Sequence, residues 1–381
     1  MKRFFSYSIL SFFLLLLPTG QASANNNDSI RLSLLTCAPG EEIYSLFGHT
    51  AIRYENSSQG IDVVFNYGLF SFNTPNFIFR FSLGETDYQL GATDYERFAA
   101  EYAFFGRSVW QQTLNLTDEE KTELIRLLQE NYRPENRVYR YNFFYDNCAT
   151  RPRDKIEESI AGKVIYPAEP QDGSLTFRDI VHQYCKGHPW ARFGIDLCIG
   201  SEADQPITQR QMMFAPFYLM DAFDGAQIKG DSIQRPLITA NELIVDATPE
   251  PDESDWMPTP LQCSLLLFIL TAVATIYGIR RRTGLWGIDL FLFGIAGIVG
   301  CVLAFLALFS QHPAVSSNFL LLVFHPGQLL FLPYIIYCVR KGKKCWYLTL
   351  NLAVLTLFIV LFPVIPQRFD FAVVPLALVL L

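Results

Sequence analysis

Two regimes of hydrophobic patterning divide this chain of 381 residues. Up to about Pro260, apolar and polar residues interleave, with turn signals at short intervals. Beyond it stand four long apolar runs: Leu261–Ile279, Leu285–Phe309, Phe319–Val339 and Trp346–Val364. Each is near the ~20 residues that an α-helix needs to cross a bilayer. Phe371–Leu381 is apolar but too short to cross as a helix and is read as a partial or interfacial fifth segment. Arg280-Arg281-Arg282 closes the first run and the cluster from Arg340 to Lys344 closes the third. The positive-inside rule puts both clusters in the cytoplasm and everything before Pro260 on the other side.

The N-terminus agrees with that sidedness. Lys2 and Arg3, the apolar run Phe4–Leu17 and the small-x-small sequence Ala22-Ser23-Ala24 have the form of a secretory signal. The expected organisation is a signal peptide over residues 1–24 and a periplasmic domain over 25–247. An acidic, proline-rich linker over 248–260 and a membrane domain of four to five helical spans over 261–381 complete it. The protein is therefore expected in the inner membrane, multi-pass, with its N-terminal domain in the periplasm.

Within 25–247, Gly48–Tyr54 and Ile61–Tyr67 are β-prone runs joined by Glu55–Gly60, which reads as a hairpin. Asp94–Phe104 and Thr117–Asn131 read as helices, the second with Thr117 as N-cap and Glu120 as its capping-box partner. Tyr139–Tyr145 is an aromatic, strand-like run. A helix over about Ala149–Ile160 is expected directly after Cys148. The class is α+β.

Composition narrows the functions. The net charge of -7 with no basic stripe excludes a general nucleic-acid binder. No glycine-rich phosphate loop is present, so no nucleotide cofactor is implied, and nothing calls for a metal. Of the eight cysteines, Cys263, Cys301, Cys338 and Cys345 lie in or beside apolar runs. Cys37, Cys148, Cys185 and Cys198 lie in the exported part, where a Cys185–Cys198 bridge is conceivable.

Two residues stand out chemically. Cys148 follows Asn147 at an expected helix start, where the helix dipole and the nearby Arg151 and Arg153 would favour thiolate over thiol. His49 opens an expected strand behind Gly48. Alone, each is equally readable as structural: a buried or Cys37-linked cysteine, a hydrogen-bonded histidine. Folding the hairpin about Ser57–Ser58 sets His49 opposite residues 66–67, so Asn66 could fix the imidazole tautomer, with Tyr67 or Asp62 as alternatives. Arg53, Arg151 and Arg153 could grip a phosphate headgroup or could simply pair with Asp146 and Asp154. His312 and His325, each followed by proline, fall in the expected periplasmic loop and third span.

The order histidine on a strand, polar residue on the next strand, cysteine opening a helix resembles the circularly permuted papain-like fold of lecithin–retinol acyltransferase and NlpC/P60 enzymes. A second resemblance covers almost the whole chain. Leu34–Gly40, Phe47–Arg53, Phe65–Gly68, Asn142–Arg151 and Arg192–Asp196, with the membrane runs, resemble the Lnb N-terminal periplasmic domain family of Bacteroidota. That resemblance implies lipoprotein N-acylation: an acyl chain moves from a phospholipid donor to the α-amino group of a diacylated lipoprotein acceptor. Cys148 would be nucleophile, His49 acid–base and Asn66 orienter. Alternatives are a cysteine amidase acting on peptidoglycan peptides and a non-catalytic envelope-assembly protein.

Overall fold

The computed structural model describes residues 29–73, 75–168, 175–230, 234–247 and 257–381. The expected signal peptide and most of the expected linker lie outside the described residues.

The N-terminal domain is built on a seven-stranded antiparallel sheet. In chain order its strands are β1 (Ile30–Cys37), β2 (His49–Asn56), β3 (Ile61–Leu69), β4 (Asp87–Asp94), β5 (Val109–Leu114), β6 (Val138–Arg140) and, last, Ile238–Val245. Between them in sequence, β7 (Lys163–Ile165), β8 (Gln227–Lys229) and β9 (Gln234–Pro236) form a small separate sheet, which makes Ile238–Val245 β10. The large sheet runs β10-β5-β1-β2-β3-β4-β6. Its centre explains why β1 is buried continuously from Leu32 to Cys37: both faces are covered.

Among the described residues, eight α-helices serve this domain: α1 (Phe77–Ser82), α2 (Tyr95–Phe104), α3 (Asp118–Tyr132), α4 (Thr150–Ser159), α5 (Phe177–Tyr184), α6 (Pro189–Cys198), α7 (Gln209–Met212) and α8 (Pro216–Asp224). On one face, Leu124 and Leu128 of α3, Ile156 of α4 and Phe223 of α8 pack on Leu32, Leu34 and Ile52. On the other, Phe98 of α2 packs on Leu35, Ala51 and Val64. The expected capping box at the start of α3 is formed: Thr117 Oγ1 accepts from the Glu120 amide, and Glu120 Oε2 accepts from the Thr117 amide at 2.8 Å. The aromatic run Tyr139–Tyr145 is not the strand it resembles. Pairing stops at Arg140, and the chain turns through an isolated Asn142–Asp146 bridge, because it must swing from the sheet edge into α4.

The C-terminal region contains α9 (Pro260–Arg281) and α10 (Trp286–Phe309), both long and apolar enough to cross a membrane. The expected third span is broken. α11 (Pro326–Leu330), with the 3₁₀ turn Phe319–Leu322 before it, meets α12 (Leu332–Lys341) at a bend of 72°. Pro326 and Pro333 explain the interruptions, since neither can donate the backbone hydrogen bond a continuous helix needs. The expected fourth span is α13 (Trp346–Leu361), 16 residues and short of a full crossing. α14 (Val373–Val379) then turns back along α13, with Asn351 Nδ2 donating to Leu380 O at 2.9 Å. Taken one by one, two of these helices, or three with the bent pair counted as one span, are long and apolar enough to cross a membrane.

Polar bonds join the two regions. Arg368 donates to Asp179 at 2.5 Å and to Asp204 at 3.0 Å, and Arg192 to Asp370 at 3.0 Å. Gly200 N–H donates to Ala314 O and Asn318 Nδ2 to Leu197 O, both at 2.7 Å. All these contacts use segments 314–318 and 367–370, the ends of the membrane helices remote from the two basic clusters. The clusters sit together: Gly284, after α9, packs directly on Val339 of α12.

This arrangement predicts that a reporter active only in the cytoplasm works when inserted after Arg282 or at Gly342 and fails after Thr259. Activity after Thr259 with silence at the other two positions would invert the orientation.

Candidate active site

The Cys148 position is fixed by the residue before it. Asn147 is 2 % exposed, and its amide makes four bonds. Nδ2 donates to Phe143 O at 2.7 Å and Phe214 O at 2.9 Å, while Oδ1 accepts from the amides of Ala149 at 2.8 Å and Thr150 at 3.0 Å. Asn147 thus caps two of the otherwise unpaired N–H groups at the start of α4, which begins at Thr150. Cys148 is held between this cap and the sheet.

On the sheet side stands the first residue of β2. Register pairs Ala51 with Asn66 and Asn56 with Ile61, offset from the expected pairing, so that His49 falls level with Gly68. A β-carbon at Gly68 would lie 3.6 Å from Cys148 Cβ and 4.0 Å from His49 Cε1, so the two side chains flank the space that glycine leaves empty. Gly68 has φ +95°, a conformation other residues rarely adopt, and β3 loses regular register with β4 between Asn66 and Leu69. This bulge re-aims the strand end, as bulges beside functional sites do.

Asn66 reaches diagonally to His49, with Oδ1 3.2 Å from Nε2. With oxygen as acceptor, Nε2 carries the proton and the basic lone pair lies on Nδ1. Tyr67, an alternative orienter, is turned away and donates to Asn131 at 2.7 Å; Asp62 is paired with Arg53.

Burial pushes the Cys148 thiol up to about 11; hydrogen bonds from the Thr50 amide and its own amide pull the other way without offsetting it. Burial pushes His49 down to about 4, against the raising effect of Asn66, and the Arg107 charge pushes it the same way as burial. The pair therefore rests as neutral thiol and neutral imidazole. The expected help from nearby arginines does not arise at the resting thiol. Arg151 is held by Asp146 at 2.6 Å and lies over the Tyr139 ring, and buried Arg153 binds Asp154 and Arg210 O. Arg53 is equally committed, to both oxygens of Asp62 and to Gln111, with its guanidinium over Tyr95.

The remaining sequence candidates lie elsewhere. Cys37 pairs with His49 in the β1–β2 register and is buried, which pushes its thiol up to about 12. It is free, as are Cys185 and Cys198, so neither a Cys37–Cys148 link nor the Cys185–Cys198 bridge is present. His182 binds Asp196 at 2.9 Å, and His312 Nε2 donates to Phe81 O at 2.6 Å. His325 precedes α11, its backbone crowded against Gly300. Among the described residues no cluster could hold a metal ion. Sequence reasoning missed Gly68 as the residue that makes room for the pair; its place two positions after Asn66 on an alternating strand was the available signal.

Two family models match the chain: the Lnb N-terminal periplasmic domain over residues 20–182 and the Lnb transmembrane domain over residues 252–381. No curated protein and no solved structure matches it.

Alkylation tests the resting state. Because thiolate is the reactive form, the rate at Cys148, followed on its own peptide by mass spectrometry, should rise about tenfold per pH unit through the alkaline range. It should not level off below about pH 9. A fast rate that stays flat between about pH 5 and pH 8 would mean a preformed thiolate–imidazolium pair.

Proposed function

The chain belongs to the Lnb family, whose members are linked to lipoprotein N-acylation, and on that premise we propose that Cys148 carries an acyl group from phospholipid to lipoprotein. What supports this reading above all is the meeting of Cys148, His49 and Asn66 at Gly68, in a domain bonded directly to membrane helices. The order of those residues, histidine on β2, asparagine on β3 and cysteine before α4, also supports assigning the domain to the permuted papain-like class.

The reaction has two halves. As Cys148 Sγ bonds to the ester carbonyl carbon of a phospholipid, its proton passes to the free nitrogen of His49. Collapse of the tetrahedral adduct breaks the ester C–O bond, and His49 returns the proton to the departing lyso-phospholipid oxygen. The lipoprotein α-amine then attacks the thioester, the C–S bond breaks, and His49 relays the amine proton to the leaving thiolate. The products are an amide and the original thiol.

Neutral resting partners suit this chemistry, since no exposed thiolate waits for stray electrophiles. Charge develops only when substrate enters and water is excluded. The oxyanion has fewer donors than a bare helix start would give. The Ala149 and Thr150 amides are already taken by Asn147, so the role falls to the Cys148 N–H, with the Thr50 N–H beside the sulfur.

Purified protein given phospholipid without an acceptor should gain the mass of one fatty acyl group on the Cys148 peptide. Hydroxylamine should remove it at neutral pH, and a diacylglyceryl-cysteine peptide should take it over as an N-acyl amide. Cys148→Ala should form no adduct, and His49→Ala should form it about 10²–10⁴-fold more slowly. Cleavage of muropeptides through Cys148 with no acyl adduct would replace this reading with the amidase one.

A further inference from the structure

α1 is anomalous for a helix of a water-facing domain. It buries none of its residues, and Ile78 and Phe79 are 81 % and 59 % exposed. Its one charged residue, Arg80, turns back to Glu85 O and Asp87. The helix is also pinned to the end of α10: Gln311 N–H donates to Leu83 O at 2.9 Å, and His312 donates to Phe81 O. Gly84, at φ +72°, lets that contact close, because a β-carbon there would come within 2.9 Å of the His312 amide nitrogen.

Between α1 and α10 lies a groove of about 920 Å³ whose floor is the stretch Cys301–Leu306. These residues precede the end of α10 at Phe309, so at 1.5 Å per residue they sit about 5–12 Å below it. That depth is in the outer half of a hydrocarbon core about 30 Å thick. Phe79 meets Phe305 across the groove at 6.0 Å between ring centroids. Its volume is in the range of about 300–1,000 Å³ usual for small-molecule sites.

The groove is not isolated from the site. Aromatic rings run from it in unbroken contact: Phe77 to Phe72 at 5.1 Å, Phe72 to Phe70 at 4.8 Å, Phe70 to Tyr88 at 5.0 Å and Tyr88 to Tyr141 at 4.2 Å. Tyr88, Tyr141 and Cys148 pack on one cluster, around Tyr67, Leu90 and Tyr139.

We propose that this groove holds one fatty acyl chain of an outer-leaflet phospholipid, and that the aromatic ladder carries the chain's ester end up to Cys148. At this depth the surrounding solvent is lipid, and the lining offers a hydrocarbon chain close contact with almost no polar competition. The groove floor then acts as a length gauge. The direction assigned to the chain rests on the acyl-transfer reading; occupancy of the groove does not.

Two measurements separate these claims. Full-length Cys148→Ala protein in bilayers can be irradiated with a phospholipid bearing a diazirine near its acyl terminus. Crosslinks should concentrate on peptides spanning 77–82 and 301–306, over the lipid-facing residues of α9; even labelling of all membrane helices would overturn the groove. Val302→Trp, which fills the floor, should lower the ratio of palmitoyl to octanoyl adduct formation about tenfold, the size expected for overpacking by one or two kcal/mol. If that variant fails to accumulate, Phe305→Ala enlarges the groove and should raise the same ratio. An unchanged ratio overturns the gauge. Absence of any adduct in the wild type, with crosslinks in place, would sink acyl transfer and leave the lipid groove standing.

Discussion

The site depends on one buried amide. Asn147 has no water to fall back on, so each of its four hydrogen bonds must be made by protein, and a lost one would cost about 1–3 kcal/mol. Two of them bind the carbonyls of Phe143 and Phe214, in an aromatic cluster with Phe144 and Phe177. The other two cap α4. The residue therefore clamps the start of a helix to a rigid aromatic layer, and the cysteine next to it has little choice of direction. Opposite, Gly68 supplies the missing volume. The bulge that contains it is a departure from regular pairing, of the kind that folds retain where a side chain must be aimed.

A second polar constraint decides what the site faces. Arg178, 0 % exposed, binds Asp196 at 2.6 Å and Asp204 at 2.8 Å, and its last nitrogen donates to the carbonyls of Ile199 and Gly200. Asp204 is shared with Arg368 from the membrane region, and Gly200 is bonded to the 314–318 segment. Every charge in this network is paired, as burial demands. The N-terminal domain is consequently seated on the membrane helices in one orientation, with α1 against the end of α10. A tether of a single helix would leave that orientation free, whereas chemistry on membrane lipids needs it fixed.

Much of this was legible in the sequence wherever the signal was local. The Thr117–Glu120 box, the β2–β3 hairpin, the helix after Cys148 and the apolar runs all follow from residues close together in the chain. The same locality explains the shortfalls. The hairpin register was misjudged because the turn residues 55–60 do not by themselves specify it, although Asn66 still reaches His49 diagonally. Arg151 and Arg153 could be read as tuning the thiol or as pairing with the nearby Asp146 and Asp154, and the pairing is what the fold makes. The Arg178 network, Gly68 and the contact of α1 with the end of α10 are long-range facts. The broken third span was announced by Pro326 and Pro333 inside an apolar run, a signal outweighed by hydropathy.

The central claim is that Cys148 supplies the third acyl chain of lipoproteins, and cells test it most directly. In cells whose chromosomal copy carries Cys148→Ala, with protein abundance and membrane insertion unchanged, mass spectrometry of lipoprotein N-terminal peptides reads the outcome. The account predicts diacylated termini with a free α-amine where the wild type has triacylated ones. Triacylated termini persisting at wild-type levels in that strain would contradict it.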